Sequence, residues 1–351
     1  MPVEWRTAHQ SHPGTGMRLS TLVRIDKSAR RLAEILGTLA KYGLADWLSG
    51  VDYDWLRNLL KSGEGEVIPN MTTSERIRCV LTDLGPTFIK VGQILSSRPD
   101  LIGPELTTEL SRLQSQTRPD PGEWVVATIE TELGAPLASL FREFDATPVA
   151  SASIGQVHEA TLPDGREVVV KVMHRDIEDA VRRDLDLLVG LAELAEKHAP
   201  QFRRFQPLAT ARYFQRTLLR ELDFNYERRH LEHFAEDFAG DATVHFPQVH
   251  PECCSDRVLT MERLNGIPVS DIGALKKAGA DLNEFARRGG NLYLEMVFGH
   301  GFYHADPHPG NLFRLENDVV GVIDCGMVGH IDDALREDIE GMLLAAVSHD
   351  A

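Results

Sequence analysis

The chain has 351 residues, 42% hydrophobic and 26% charged, an ordinary balance for a folded soluble protein long enough for two lobes. Lys+Arg 37 against Asp+Glu 53 gives a net charge of -16, which argues against nucleic acid as a partner. The cysteines Cys79, Cys253, Cys254 and Cys325 match no zinc or disulfide spacing and suggest a reducing cytoplasm, and no apolar run approaches the roughly 18–20 residues of a membrane span.

Residues 1–17 are polar, lack a signal-peptide core and read as a disordered N-terminus. Residues 18–69 read as an amphipathic helical segment and linker. Leu32, Ile35, Leu36, Leu39, Ala40, Leu44, Trp47 and Leu48 recur at helical spacing, and Arg18, Arg24, Lys27, Arg30 and Arg31 form a basic start. "KSGEGEVIPNMTT" then breaks the pattern. Residues 70–135 form a helical block, interrupted at Gly85-Pro86 and at "SSRPDLIGPEL", with a last helix from Glu123 to Leu133.

The texture changes in residues 136–265. "ASIGQVHEATLPDGREVVVKVM" reads as two strands around the turn Pro163-Asp164-Gly165. Helices follow from Asp176 to Lys197 and from Gln206 to Phe234, then a strand in "RVLTMERLNG". In residues 266–351 helices resume near Leu282. The loop "GFYHADPHPGN", the strand-like "VVGVIDCG" and a further helical stretch come after them. Helices, a small sheet with long helices, then a mostly helical region make an α+β chain.

The proline-rich loop cannot be a regular helix or a central strand, because each proline lacks a donor and restricts the residue before it. It reads His304-x-Asp306-x-x-x-x-Asn311. In kinase-type phosphoryl transfer an aspartate accepts the attacking hydroxyl's proton, and an asparagine at this separation binds magnesium. Asp324, after an apolar strand and before a glycine, sits where a second magnesium ligand belongs. Either half alone reads as an ordinary loop; the combination is far more specific. A zinc reading of His304 and His308 lacks a third ligand at any known spacing.

Lys171 closes "VVVK", where a kinase lysine grips the α and β phosphates. Without context it would be a solvated charge. The frame that matches a kinase phosphate loop is Ala150-Ser151-Ala152-Ser153-Ile154-Gly155-Gln156-Val157. Alanine stands for the first two glycines, so the loop is expected to hold nucleotide in an altered geometry. Glu221, Asp223 and Glu227 are the helix acids available to Lys171, or only a solvated face. Glu262 falls near the adenine edge of the strand joining two lobes. His304-Ala305-Asp306 lacks the usual arginine, and no long activation segment follows Asp324-Cys325-Gly326. The first leaves no partner for an activation-loop phosphate, and the second points to a small-molecule acceptor or to ATP hydrolysis.

These residues resemble the UbiB or aarF-domain ("activity of bc1 complex") atypical kinases over about residues 70–350. The likeness rests on "FIKVGQILSSRPDL", "ASASIGQVH", "VVVKV", "ELDFNYE", "HADPHPGNLF" and "IDCGMVG". It implies a protein-kinase-like two-lobed fold with an N-terminal helical extension covering the active site. By resemblance Lys90, Gly92 and Gln93 form a regulatory motif, with Lys90 and Gln93 entering the nucleotide pocket. Glu221 and Asp223 would meet that extension, and Glu227 would pair with Lys171. Asp306 would be the catalytic aspartate, with Asn311 and Asp324 on Mg2+. The implied cofactors are ATP or ADP with Mg2+.

The implied role is an ATPase-like atypical kinase with little protein-kinase activity in trans. It would support ubiquinone or related prenyl-quinone biosynthesis, among quinone-biosynthesis proteins and lipid or phenolic precursors. The expected place is the cytoplasm, in peripheral contact with the inner face of the membrane. The expected lobes are a KxGQ extension at 70–135, an N-lobe with inserted helices at 136–265 and an incomplete C-lobe at 266–351. Two other functions fit parts of the pattern: a small-molecule kinase of aminoglycoside or choline type, and a nucleotide-binding pseudokinase scaffold. Lys90-Val91-Gly92-Gln93 and the alanine-rich loop separate the first from the family reading. Cys325, in place of the usual phenylalanine, is expected to loosen the packing that holds Asp324.

Overall fold

The computed structural model describes residues 19–44, 71–113, 117–198, 203, 206–306 and 308–348, with side chains of the first helix from residue 29 onward. The expected disordered start, the 45–70 segment and Pro307 lie outside the described residues.

Helix α1 (Leu19–Lys41) precedes a cluster made of α2 (Thr73–Leu84), α3 (Pro86–Ser96), α4 (Pro99–Ile102) and α5 (Pro104–Leu110). Local chemistry sets these boundaries. Thr72 and Glu75 form a reciprocal capping box at the start of α2, and prolines occupy the first turns of α3, α4 and α5. Ile35 of α1, with Tyr42 and Leu44 just after the helix, is buried against Val80, Leu84 and Phe88. Arg31 pins that helix: its Nε lies 2.8 Å from Asp184 Oδ1, and its Nη2 donates to the Leu84 carbonyl at 2.6 Å.

Helices α6 (Gly122–Leu133) and α7 (Leu137–Leu140) lead into the first sheet. Its strands are β1 (Glu143–Phe144), β2 (Ala150–Ser151), β3 (Gly155–Thr161), β4 (Glu167–Met173) and β6 (Val258–Glu262), in the order β1-β3-β4-β6 with β2 also on β3. All pairings are antiparallel, and Val157 and Leu259 lie opposite Lys171 on either side. Side chains alternate across β4. Val168, Val170 and Val172 pack under Val125 and Ile129 of α6, while Met173 faces the second, larger core.

Between β4 and β6 run α8 (Ile177–His198), α9 (Pro207–Glu221) and α10 (Phe224–Asp237), then β5 (Val244–His245). The sequence pattern suggested one helix from Gln206 to Phe234; the chain instead breaks at Leu222–Asp223. Asp223 is extended and its carboxylate accepts the Asn225 amide at 2.9 Å, which starts a new helix.

Then come β7 (Ile267–Pro268), α11 (Ile272–Lys277), α12 (Leu282–Leu294), β8 (Phe302–His304), β9 (Leu312–Arg314), β10 (Val320–Val322), β11 (Val328–His330) and α13 (Asp333–Ser348). Helix α11, capped by Asp271, was not anticipated, and "VVGVIDCG" supplies only the short strand β10. A second sheet has the order β5-β10-β9-β7, and β8 pairs with β11. The core joining the lobes stacks Phe234 on Phe246 and Phe302, with ring centroids 5.1 and 4.6 Å apart. Among the described residues no helix is long and apolar enough to cross a membrane.

At Gly155 the backbones of β3 and β4 leave no room for a side chain. A Cβ there would lie 2.6 Å from the Val172 carbonyl oxygen. Gly155→Ala should therefore force β3 from β4 and cost about 1–3 kcal/mol. Urea unfolding checks this, and a native-like midpoint would contradict it.

Candidate active site

Strand alternation aims Lys171 away from the α6 side, toward the face shared with Leu259. Helix α10, begun by the Asp223 cap, brings Glu227 to meet it. Lys171 Nζ lies 2.7 Å from Glu227 Oε2 and 3.4 Å from Asp324 Oδ1. The same ammonium sits 5.2 Å from the Phe224 ring centroid, a cation–π contact the sequence reading missed.

Burial works to lower the Lys171 pKa, but the Asp324 and Glu227 carboxylates outweigh it and hold the ammonium protonated well above its ordinary range. Asp324 is pulled down to about 2, first by Lys171 and further by Lys90. Burial pushes Glu227 up to about 7; Lys171 opposes that rise and Asp324 adds to it. One cation thus serves two carboxylates, of which Asp324 is the better ionised.

Pairing of β9 with β10 explains why Asn311 and Asp324 come together. Leu312 lies opposite Val322, and the Ile323 amide donates to the Asn311 carbonyl at 2.9 Å. The asparagine immediately precedes one strand and the aspartate closely follows the other. Asp324 has φ 56°, a left-handed conformation uncommon for a residue with a side chain.

The loop at Asp306 is tied in from the other end. His304 is buried; its Nδ1 accepts the Asp306 amide at 3.1 Å and its Nε2 donates to the Asp324 carbonyl at 3.2 Å. That pairing fixes the neutral tautomer and ties both acid-bearing segments to one ring. Asn311 Nδ2 donates to the Asp306 carbonyl at 3.2 Å, and His308 Nδ1 accepts the Gly310 amide at 3.0 Å. Both histidines are therefore engaged with loop backbone. The Asp306 side chain is exposed. Tyr293, which the sequence did not single out, has a buried, unpartnered hydroxyl whose pKa is raised by burial and then by Asp306.

The helical extension enters the same cluster. Lys90 on α3 reaches Glu221 at the end of α9, Nζ to Oε2 2.9 Å. Burial opposes its charge, yet Glu221 and Asp324 outweigh that cost and raise its pKa. Gly92 lets α3 pack closely, since a Cβ there would press on Leu113 and, at 2.9 Å, on Leu81. Gln93 Nε2 donates to the Leu113 carbonyl at 3.1 Å, within the extension. Asp223 serves as the α10 cap described above.

The alanine-rich loop is a tight turn: the Ala152 amide donates to the Gly155 carbonyl at 2.9 Å. Ala150 and Ser151 pair with Val157 and Gln156, and the Ser153 hydroxyl is buried without a partner. A buried polar network braces this turn. His174 Nε2 donates to the Ala152 carbonyl at 2.9 Å, and His174 Nδ1 lies 2.7 Å from Asp120 Oδ2. Gln156 Oε1 accepts the Asp120 amide at 2.6 Å, and Gln156 Nε2 lies 2.9 Å from His158 Nε2. The sequence carried one usable signal: Gln156 and His158 are polar residues at inward positions of a strand.

Glu262 ends β6 opposite Val168, so its side chain lies on the face away from Lys171. It accepts from His245 Nε2 at 2.9 Å and from the Gln248 amide at 3.1 Å. Cys325 is fully buried in the joining core, and its carbonyl accepts from His230 Nδ1 at 2.8 Å. Burial pushes its thiol far up, so it acts as packing and not as a nucleophile.

The donor set fits a hard cation. Asp324 is half exposed, and Glu227 Oε1 and Glu221 Oε1 are buried without hydrogen-bond partners. Among the described residues no three His, Cys, Asp or Glu side chains form a ready metal cage. Magnesium suits such a site, because it takes one or two protein oxygens and completes its shell with phosphates and water.

The family model of the ABC1 atypical kinase-like domain matches residues 112–351. Probable protein kinase UbiB of Aeromonas salmonicida (strain A449) is 38% identical over 320 residues, covering 89% of this chain and 58% of that protein. Its counterpart in Pseudomonas aeruginosa (strain LESB58) is 36% identical over 333 residues, covering 92% and 62%. The chain therefore spans about three fifths of the length of the curated relatives it matches. A solved Mycobacterium tuberculosis protein, Rv3197 in complex with erythromycin, superposes with a TM-score of 0.50 at 28% identity, covering 76% of this chain and 69% of that one. With its kinase-like α+β fold, the chain belongs to the ABC1 atypical kinase-like family.

Proposed function

We propose that the chain binds ATP with Mg2+ and acts as a kinase-like phosphotransferase or ATPase in the biosynthesis of ubiquinone or a related prenyl quinone. The observation that carries this reading is the shared charge cluster: Lys171 between Glu227 and Asp324, with Lys90 planted beside it. Lys171 would hold the α and β phosphates, and Glu227 keeps that lysine in place. Asn311 and Asp324 would hold Mg2+, which supplies charge neutralisation on the phosphates. Asp306 accepts the proton of an attacking hydroxyl or water. His304 keeps Asp306 and Asp324 in register.

The extension gives the reading its particular form. By analogy with the family, helices α2 to α5 and the Lys90–Glu221 pair would occupy the side where a protein kinase docks its peptide. This favours a small acceptor or water, with little activity on proteins in trans. A small-molecule kinase of aminoglycoside or choline type would have no use for Lys90-Val91-Gly92-Gln93. A pseudokinase scaffold is disfavoured because the chain carries Lys171, Glu227, Asp306, Asn311 and Asp324 together. Relatives named as probable protein kinase UbiB support the quinone role. Phenolic or lipid precursors and quinone-biosynthesis proteins as partners, with peripheral contact at the inner face of the membrane, belong to the same proposal.

Asp324→Asn should weaken Mg2+-dependent ATP binding at least tenfold in calorimetric titration; unchanged affinity would remove Asp324 from the site. Replacing Lys90 by Met and Glu221 by Gln together removes the ion pair without leaving a lone buried charge. ATP turnover should then rise severalfold, and an unaltered rate would contradict a restraining extension.

The carboxyl shifts have opposite signs. Glu227, raised from 4.5 to about 7, contributes stability that is full below about 4.5 and lost as pH rises through about 7. Asp324, lowered from 3.8 to about 2, contributes stability present above about 3.8 and lost as pH falls toward 2. Denaturant unfolding at pH 5 to 8 should therefore show a smaller loss of stability in Glu227→Gln than in the native chain. Parallel profiles would refute the shift.

A further inference from the structure

A cleft outside the candidate active site lies over the first sheet. It encloses about 250 Å³ and is lined by Trp124, Thr128 and Glu132 of α6, by Arg175 and Asp176 after β4, and by Arg257 before β6. Arg257 Nε is buried and has no hydrogen-bond partner among the described residues. That atom is out of reach of solvent, so the cleft offers a ligand only the part of Arg257 that lines it. The two acids of the cleft do not bond that side chain. Glu132 Oε2 accepts from Ser255 Oγ at 3.0 Å, and Asp176, with 84% of its side chain exposed, lies 3.5 Å from Arg175 Nε. Arg175 is exposed at the rim, and Trp124 supplies a partly buried aromatic wall. Paired guanidiniums bind carboxylate or phosphate oxygens in a planar, bidentate manner, and an indole face accepts a flat ring. The volume falls below that of drug-sized sites, which limits the ligand to a compact one.

We propose that this cleft is an effector site for a compact aromatic anion, an aryl carboxylate or aryl phosphate, held by Arg257 and Arg175 with its ring on Trp124. Its route to the nucleotide side is short. The Arg175 amide donates to Asp120 Oδ2 at 3.1 Å, the same oxygen that lies 2.7 Å from His174 Nδ1, and His174 holds the Ala152 carbonyl. An occupied cleft draws the Arg175 segment against Asp120 and so tightens the alanine-rich loop.

The test is calorimetric titration of the full chain with benzoate and with phenyl phosphate, using inorganic phosphate and benzyl alcohol as partial mimics. Both aryl anions should bind saturably, at least tenfold more tightly than either mimic. Arg257→Gln should weaken them at least tenfold and Arg175→Gln at least threefold, with Arg118→Gln unchanged. Arg175 and Arg118 are exposed, so these two variants test the site even if Arg257→Gln folds poorly. Benzoate should also slow amide hydrogen exchange at Ala152–Gly155 at least threefold in the native chain and not in Arg175→Gln. Absence of saturable binding, equal binding of inorganic phosphate, or affinity unaffected by both cleft variants overturns the site. Unaltered exchange at the loop overturns its effector role.

Discussion

The Lys171 ammonium, buried between Glu227 and Asp324, is the constraint on which the rest depends. A charge out of water persists only with close counter-charges. Those come from α10 and from the turn after β10, so the first sheet, that helix and the second sheet must assemble together to satisfy one lysine. The Phe224 ring adds a cation–π contact to the same ammonium. The left-handed backbone at Asp324 is the local strain accepted to put its carboxylate there, and His304 and His230 hold that turn by donating to the Asp324 and Cys325 carbonyls.

A second cation stands close to the first. Lys90 arrives from a helix that precedes the kinase-like lobes and is anchored by Glu221. Its charge also helps keep Asp324 ionised. Gly92 and Gln93 seat the helix that carries it, one by allowing close packing and the other by bonding the Leu113 carbonyl. The four-residue motif thus divides its work: one residue addresses the charge cluster, and two fix the extension that delivers it. Arg31 extends the same anchorage to α1 through Asp184 and Leu84.

Much of this was legible in the residues, for physical reasons that differ by element. The β3–β4 hairpin was readable because alternation and a Pro-Asp-Gly turn leave few alternatives. Lys171, Asp306, Asn311 and Asp324 stood out because their types and spacing match one chemistry. The break at Asp223 was not readable, since Leu222 and Asp223 interrupt no apolar periodicity and only the cap geometry reveals it. Glu262 was placed by its position in a strand, and register, which sets which face it takes, is not carried by the local pattern. The Asp120–His174–Gln156 network joins residues far apart in sequence and appears only once the sheet is folded.

The central claim is that the carboxylates around Lys171 form a metal–nucleotide site. The most direct measurement is a crystal structure grown with ADP and Mn2+ in place of Mg2+, with the metal located by anomalous scattering. The account predicts a peak bonded to Asp324 and Asn311, with the nucleotide phosphates beside Lys171. A nucleotide bound elsewhere, or a metal that avoids both residues, would contradict it.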